Sequence, residues 1–133
     1  MLHDRPHRVL VVDDELEMAA VVADELGDRG YVAIALRDGH EALDRLQHET
    51  FDALITDLRM PGLDGLGLLR ASRALDPSRP VIVMTGHMAI DTALQAVNQG
   101  AFHYIIKPFA LSHLVELVEE SLLVSGRTGK SVP

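Results

Sequence analysis

Five polar side chains that could bind a metal ion or an anion each lie directly after a short apolar run of the chain. If these runs are parallel strands, the five side chains lie at the carboxyl edge of one sheet, where open α/β sheets bind ligands. They are Asp13 and Asp14 after residues 9–12, Asp57 after 53–56, Thr85 after 81–84 and Lys107 after 104–106. Carboxylates, a hydroxyl and an ammonium group at one edge indicate a site for a divalent cation together with a phosphoryl group.

Carboxylates a few Å apart repel one another, so their protonation is favoured unless a cation neutralises them. Mg²⁺ suits such a site because it prefers carboxylate oxygens and water, and it commonly binds phosphate oxygens as well. The chain has no cysteine, and no histidine belongs to the acidic cluster, which disfavours softer metals. We therefore expect Mg²⁺ as the cofactor.

Strand-like runs alternate with helix-like periodicity five times, which predicts a parallel sheet with helices on both faces. The predicted strands cover residues 9–12, 31–36, 51–56, 81–85 and 102–106. The second strand alternates its larger apolar residues with alanine, which suits an edge of the sheet. Gly30 follows the first predicted helix, Asp38 caps the second, and Pro77 and Pro80 follow the third. The fourth helix covers residues 89–99 and ends before Gly100, and the fifth begins near Leu111.

Composition excludes several classes of function. A net charge of −8 and an aromatic content of 4% disfavour a nucleic-acid-binding surface, which needs clustered basic residues and stacking rings. No apolar stretch reaches the roughly 18 residues that span a bilayer, and the apolar N-terminal run ends in aspartates rather than a secretory cleavage site. We expect a cytoplasmic protein that binds neither nucleic acid through this domain nor a membrane.

Each acidic residue also has an ordinary structural interpretation. Asp14 could be the N-cap of the first helix, and Asp57 alone could be a common loop residue. The joint pattern at the same end of four predicted strands favours a functional site.

Taken together, these residues resemble the receiver domain of two-component response regulators, over residues 8–123. The motifs that carry the resemblance are Asp13-Asp14, Asp57, Met60-Pro61, Asp64-Gly65, Thr85, Tyr104 and Lys107-Pro108. The resemblance implies a flavodoxin-like, doubly wound α/β fold with a five-stranded parallel sheet of order 2-1-3-4-5 and five helices. It also implies a receiver domain over residues 1–124, followed by a tail or linker over 125–133.

The resemblance further implies roles for the site residues. Asp57 would accept a phosphoryl group from a sensor histidine kinase. Mg²⁺ would bind Asp14, Asp57 and the backbone carbonyl of Arg59, with Asp13 acting through water. The Lys107 ammonium would neutralise charge on the phosphoryl group. Further phosphoryl contacts are expected from the backbone amides of Leu58, Arg59 and Gly86.

Thr85 and Tyr104 would form the switch that passes the signal to a face made of helix four, strand five and helix five. Arg59 and His87 would tune the lifetime of the phosphoryl group, although both could equally be solvent-facing loop residues. The resemblance also implies a cis Lys107–Pro108 bond. On helix five, Leu117 and Leu123 form a second apolar set that could be a partner or dimer surface.

Other functions fit these residues less well. A phosphohydrolase of the haloacid dehalogenase type would need a general acid two residues after its nucleophile, where this chain has Arg59. A degenerate receiver would lack key side chains that are present here. The loops around Thr85 and over residues 100–109 resemble NtrC-like transcriptional activators, which carry an ATPase and a DNA-binding domain downstream. The domain would then be a regulatory phosphoacceptor rather than an enzyme, either in front of such an output domain or as a stand-alone receiver that acts through protein contacts.

Overall fold

The structure is a computed structural model, and it describes residues 5–86 and 89–127. The strands are β1 (Arg8–Val12), β2 (Val32–Leu36), β3 (Ala53–Asp57), β4 (Val81–Thr85) and β5 (His103–Ile106). All neighbouring strands are parallel, and they form one five-stranded sheet of order β2-β1-β3-β4-β5. The predicted fold class and strand order are confirmed.

Helices cover both faces of the sheet. They are α1 (Leu16–Asp28), α2 (Gly39–His48), α3 (Gly65–Leu75), α4 (Ile90–Asn98) and α5 (Leu111–Val124). Successive strand side chains point to opposite faces, so the sheet supports two cores. Leu10 and Leu54 belong to the core under α2, α3 and α4, whereas Val11 and Ile55 belong to the core under α1 and α5.

The middle and the edge of the sheet differ as the sequence predicts. Every residue of β3 and β4 is buried, which fits strands that are covered by helices on both sides. Strand β2 pairs only with β1 at the edge of the sheet, and its Val32 is 42% exposed. The alternation with alanine in β2 therefore indicated an edge strand correctly.

Helix starts follow local side-chain chemistry. Asp38 caps α2 by accepting a hydrogen bond from the Glu41 N–H at 2.9 Å, as predicted. The ordinary interpretation of Asp14 is wrong, because the N-cap position of α1 is Glu15. Asp14 is therefore available for other contacts at the sheet edge.

Two expectations need correction. Asp57 is the last residue of β3 rather than a residue after it, because it still pairs in register with Met84 of β4. On α5, Leu117 is buried with the core at 8% exposure, whereas Leu123 is 66% exposed. The pair therefore does not form one outward face, since α5 is buried over a broader arc than its predicted stripe.

Among the described residues, no helix is long and apolar enough to cross a membrane.

Candidate functional site

The three aspartates meet at the carboxyl edge of the sheet. Val12 of β1 lies in register with Thr56 of β3, so the residues that follow, Asp13 and Asp57, are brought side by side. Carboxylate oxygens of Asp13, Asp14 and Asp57 all lie within 4.8 Å of one another. Asp13 and Asp57 are buried and Asp14 is exposed, so the cluster has a closed floor and one side open to solvent.

Lys107 brings a positive charge to this cluster from just after β5, which lies two strands away from β3 in the sheet. Its Nζ lies 2.7 Å from Asp13 Oδ2, 3.7 Å from Asp57 Oδ1 and 4.0 Å from Glu15 Oε1. The Lys107 N–H donates to the Thr85 carbonyl at 2.7 Å, which fixes the start of this loop against β4. The Lys107–Pro108 peptide bond is cis, as the resemblance implies.

Burial and charge shift the ionisation of the central pair. The pKa of Asp57 is raised from 3.8 to about 6, mainly because the carboxylate is buried and also because Asp13 and Asp14 lie close. Lys107 opposes this increase but does not cancel it. Burial alone would lower the pKa of Lys107, yet the Asp13 hydrogen bond and the charge of Asp57 raise it, so the ammonium stays charged.

Asp13 is held rigidly by contacts with three elements. Its N–H donates to the Leu36 carbonyl of β2 at 3.0 Å, and its Oδ1 accepts from the Glu15 N–H at 2.9 Å. Its Oδ2 accepts from Lys107. Asp13 therefore orients the lysine and has little freedom to move toward a bound ion.

The loop after β3 requires a glycine at position 65. A Cβ atom on Gly65 would lie 2.4 Å from the Asp57 carbonyl oxygen and 2.6 Å from the Leu58 Cα, both backbone atoms. The Gly65 N–H donates to the Leu58 carbonyl at 3.0 Å, and Asp64 caps α3 by accepting from the Gly67 N–H at 2.9 Å. The Asp64-Gly65 motif therefore lets α3 begin directly against the strand that carries Asp57.

The structure brings together only part of the predicted set of amide donors. The Leu58 N–H, which we expected to face a phosphoryl group, instead donates to the Met84 carbonyl at 3.0 Å and so extends the sheet. Arg59 and Gly86, which follow β3 and β4, are exposed. His87 lies outside the described residues.

The two predicted switch residues lie on adjacent strands. Thr85 ends β4, is 1% exposed, and its Oγ1 donates to the Gly86 carbonyl at 3.2 Å. Tyr104 of β5 is half-buried and packs against the core beneath α4. Its backbone lies opposite Val83 in the register, two residues before Thr85 on β4.

Sequence reasoning missed contacts that only the fold creates. Glu15 reaches Lys107, and its position next to Asp13-Asp14 was the one signal available for it. At the opposite end of β3, Asp52 is 2% exposed and accepts hydrogen bonds from Arg5 and Arg127. No motif of the sequence predicts these two contacts.

Comparison with known proteins identifies the class of this fold and site. The family model described as "Response regulator receiver domain" matches residues 9–119. The chain therefore belongs to the response regulator receiver domain family of two-component systems.

Individual relatives agree with this assignment. The "DNA-binding transcriptional regulator NtrC" of Escherichia coli (strain K12) is 41% identical over 114 residues, which are 86% of this chain and 24% of that protein. The "Transcriptional regulatory protein ZraR" of Salmonella typhimurium is 34% identical over 125 residues, which are 94% of this chain and 28% of that protein. The chain thus spans about a quarter of the length of these curated relatives.

Solved structures show the same fold. A response regulator receiver domain protein from Clostridium thermocellum superposes with a TM-score of 0.86 at 29% identity, covering 90% of this chain and 97% of that one. NtrX from Brucella abortus gives a TM-score of 0.87 at 33% identity, covering 92% of this chain and 28% of that one.

Proposed function

We propose that Asp57 accepts a phosphoryl group from the phosphohistidine of a sensor histidine kinase. A carboxylate oxygen of Asp57 forms a bond to phosphorus while the bond from phosphorus to the histidine nitrogen breaks, and the nitrogen keeps the electron pair. The observation that carries this proposal is the place of Asp57, which lies in a cluster of three carboxylates with the Lys107 ammonium 3.7 Å away.

The surrounding charges fit this chemistry. Phosphoryl transfer makes little covalent demand on a protein and depends on positioning and charge neutralisation. Lys107 is held by Asp13 within reach of Asp57, so its ammonium can approach a phosphoryl oxygen without a large rearrangement. We assign the phosphoryl-facing amides to Arg59 and Gly86, because the Leu58 amide is engaged with the sheet.

Mg²⁺ is the cofactor we propose, and the donor set fits it. The oxygens of the three aspartates lie within 4.8 Å of one another, with an open side where water can complete the shell. Asp14, Asp57 and the Arg59 carbonyl would hold the ion directly, and Asp13 would act through water. The bound ion would neutralise the charge that burial otherwise makes costly on Asp57.

We propose that Thr85 and Tyr104 carry the response. The Thr85 hydroxyl would exchange its hydrogen bond to the Gly86 carbonyl for one to a phosphoryl oxygen. The Tyr104 ring would then move toward the space that the hydroxyl vacates. The nearly complete burial of Thr85 and the partial burial of Tyr104 support two discrete packings of this region. The change would reach the face formed by α4, β5 and α5, where we place a homodimer contact.

The printed names of NtrC and ZraR suggest an output in transcription. We propose that residues 1–124 form the receiver, that 125–133 begin a linker, and that a downstream ATPase and DNA-binding region delivers the response. A stand-alone receiver acting through protein contacts is the alternative. In either case the domain works in the cytoplasm as a regulatory phosphoacceptor.

We also propose that Arg59 and His87 set the lifetime of the phosphoryl group. Arg59 is exposed two residues after Asp57, where it can control the approach of water. Measured dephosphorylation rates that do not change in Arg59→Ala and His87→Ala would contradict this role.

Intact-mass spectrometry after incubation with acetyl phosphate and Mg²⁺ tests the acceptor. We expect a gain of one phosphoryl group in the wild type and in Asp24→Asn, which removes an exposed acid on α1, and no gain in Asp57→Asn or without Mg²⁺. Beryllofluoride binding, followed by NMR, covers the case of a phosphoryl group lost too quickly to detect. A gain that persists in Asp57→Asn would show that another residue is the acceptor.

A further inference from the structure

The chain after α5 turns onto the base of the sheet, the end opposite the acidic cluster. Helix α5 ends in a Schellman motif, in which the Arg127 N–H donates to the Leu122 carbonyl at 2.8 Å and the Gly126 N–H to the Leu123 carbonyl at 3.2 Å. Gly126 has a φ of +80°, a conformation that glycine adopts without steric cost. The backbone therefore leaves the helical path at residue 126.

Arg127 then fastens this turn to two other elements. Its Nη1 donates to Asp52 Oδ1 at 3.3 Å, just before β3. Its Nη2 donates to the Asp76 carboxylate and, at 2.9 Å, to the Ser78 hydroxyl in the connection between α3 and β4. One planar guanidinium thus bridges α5, the start of β3 and the end of α3, a geometry that its fixed fork of donors allows.

The carboxylate at the centre of this contact, Asp52, is buried and accepts several hydrogen bonds. Asp52 is 2% exposed, accepts from the Arg8 N–H at 2.8 Å, and accepts two hydrogen bonds of 3.1 Å from Arg5. Burial alone would raise the pKa of Asp52, but the bonds from Arg5 and Arg8 lower it, so the carboxylate stays ionised. Segments near both ends of the described chain, around Arg5 and Arg127, therefore converge on one buried anion.

We propose that Arg127 is a latch that fastens the segment after α5 to the base of the sheet, so that the chain leaves the domain there instead of continuing α5 as a helix. Arg127 itself is then held at a fixed point beside the α3–β4 connection. Strand β3 separates this point from Asp57 by five residues, about 17 Å of extended chain. The latch is independent of the phosphorylation proposed above.

Amide exchange in the 133-residue chain tests the latch. Solvent-exchange NMR of the Ser125, Gly126 and Arg127 amides should show exchange about tenfold faster in Arg127→Ala, because a hydrogen bond to a charged group is lost from the turn. Arg29→Ala is the control: Arg29 also lies at the C-terminal end of a helix, as the C-cap of α1, but it pairs with Glu25 of that same helix. It should leave the α5 turn unchanged.

Backbone Cα chemical shifts supply a second readout. We expect non-helical shifts at 126 and 127 in the wild type and in Gly126→Ala, where Arg127 still holds the turn, and helical shifts there only in the double variant Gly126→Ala with Arg127→Ala. An added Cβ on Gly126 meets nothing within 4 Å, so this substitution perturbs the backbone conformation alone. Helical shifts at 126–127 in the wild type would overturn the latch.

Unchanged exchange of the turn amides in Arg127→Ala would also overturn the proposal. If the β-sheet amides of Val11 and Ile55 accelerate by the same factor, the change reflects global unfolding. In that case the Cα shifts of the folded state decide. Non-helical shifts in the wild type and in Gly126→Ala, with helical shifts in the double variant, support the latch, and any other combination refutes it.

Discussion

Asp57 should destabilise the metal-free protein at neutral pH, and removing its charge should stabilise the fold. The pKa of this carboxyl is about 6 in the folded protein and ordinarily 3.8, so folding favours the protonated form. The stabilising contribution is complete below pH 3.8 and is lost as the pH rises through about 6. Above that range the ionised carboxylate weakens the folded state.

The magnitude follows from the gap between 3.8 and about 6, at about 1.4 kcal/mol for each pKa unit, which comes to about 3 kcal/mol. Solvent at the open side of the site screens part of this energy, so we expect about 2 kcal/mol. In a domain of this size, that corresponds to a rise of roughly 8 °C in melting temperature for Asp57→Asn.

Thermal unfolding by circular dichroism at pH 7.5 in EDTA checks this value. Asp57→Asn should melt higher than the wild type, and the difference should shrink toward zero near pH 4, where the wild-type carboxyl is protonated. Mg²⁺ should narrow the difference as well, because an ion that binds only the folded wild type stabilises it by mass action.

Asp24→Asn is the control, since it removes the same formal charge from an exposed position on α1. Equal melting temperatures for Asp57→Asn and the wild type at pH 7.5, or an equal gain in both variants, would refute the argument from local burial. A gain that persists unchanged at pH 4 would mean that the effect does not arise from ionisation of Asp57.

Three further predictions concern the packing around the site and the base of the sheet. Gly65→Ala should lower the free energy of unfolding, measured by chemical denaturation, by more than about 2 kcal/mol, because its Cβ would lie 2.4 Å from a backbone oxygen. Gly27→Ala is the control inside α1: its Cβ meets nothing within 4 Å, so it should raise the free energy of unfolding by about 0.5–1 kcal/mol. Asp52→Asn should lower the free energy of unfolding by about 3 kcal/mol above pH 4, since the Arg8 N–H and the Arg127 guanidinium lose a charged partner. The loss should fade at lower pH, because the lowered pKa of Asp52 confines its contribution to pH values above its titration. Lys107→Met should raise the pKa of Asp57 further, measured by NMR titration without metal, because the opposing charge 3.7 Å away is gone; an unchanged or lower pKa would show that Lys107 does not act on this carboxylate.

Local patterns in the sequence determined the fold, because strand, helix and cap formation depend mainly on residues close together in the chain. Apolar runs with helical segments between them specify a parallel α/β sheet, and the alternation with alanine in β2 marked its edge. The cap at Asp38 was predicted from its own residue type. The same patterns placed Asp13, Asp57 and Lys107 at one edge of the sheet, because parallel strands all end there.

Tertiary structure decided what depends on distant neighbours. The raised pKa of Asp57 arises from burial and from the negative charges of Asp13 and Asp14 after β1, which together outweigh the opposing charge of Lys107 after β5. No local pattern of the sequence measures burial or these distances. The engagement of the Leu58 amide with Met84 and the burial of Leu117 follow from how β3 and α5 pack. The pairing of Arg127 with Asp52 joins residues 75 positions apart, so only the folded chain could reveal it. A sequence pattern specifies which groups can do chemistry, whereas solvent exclusion and long-range contacts determine their charge, partners and freedom to move.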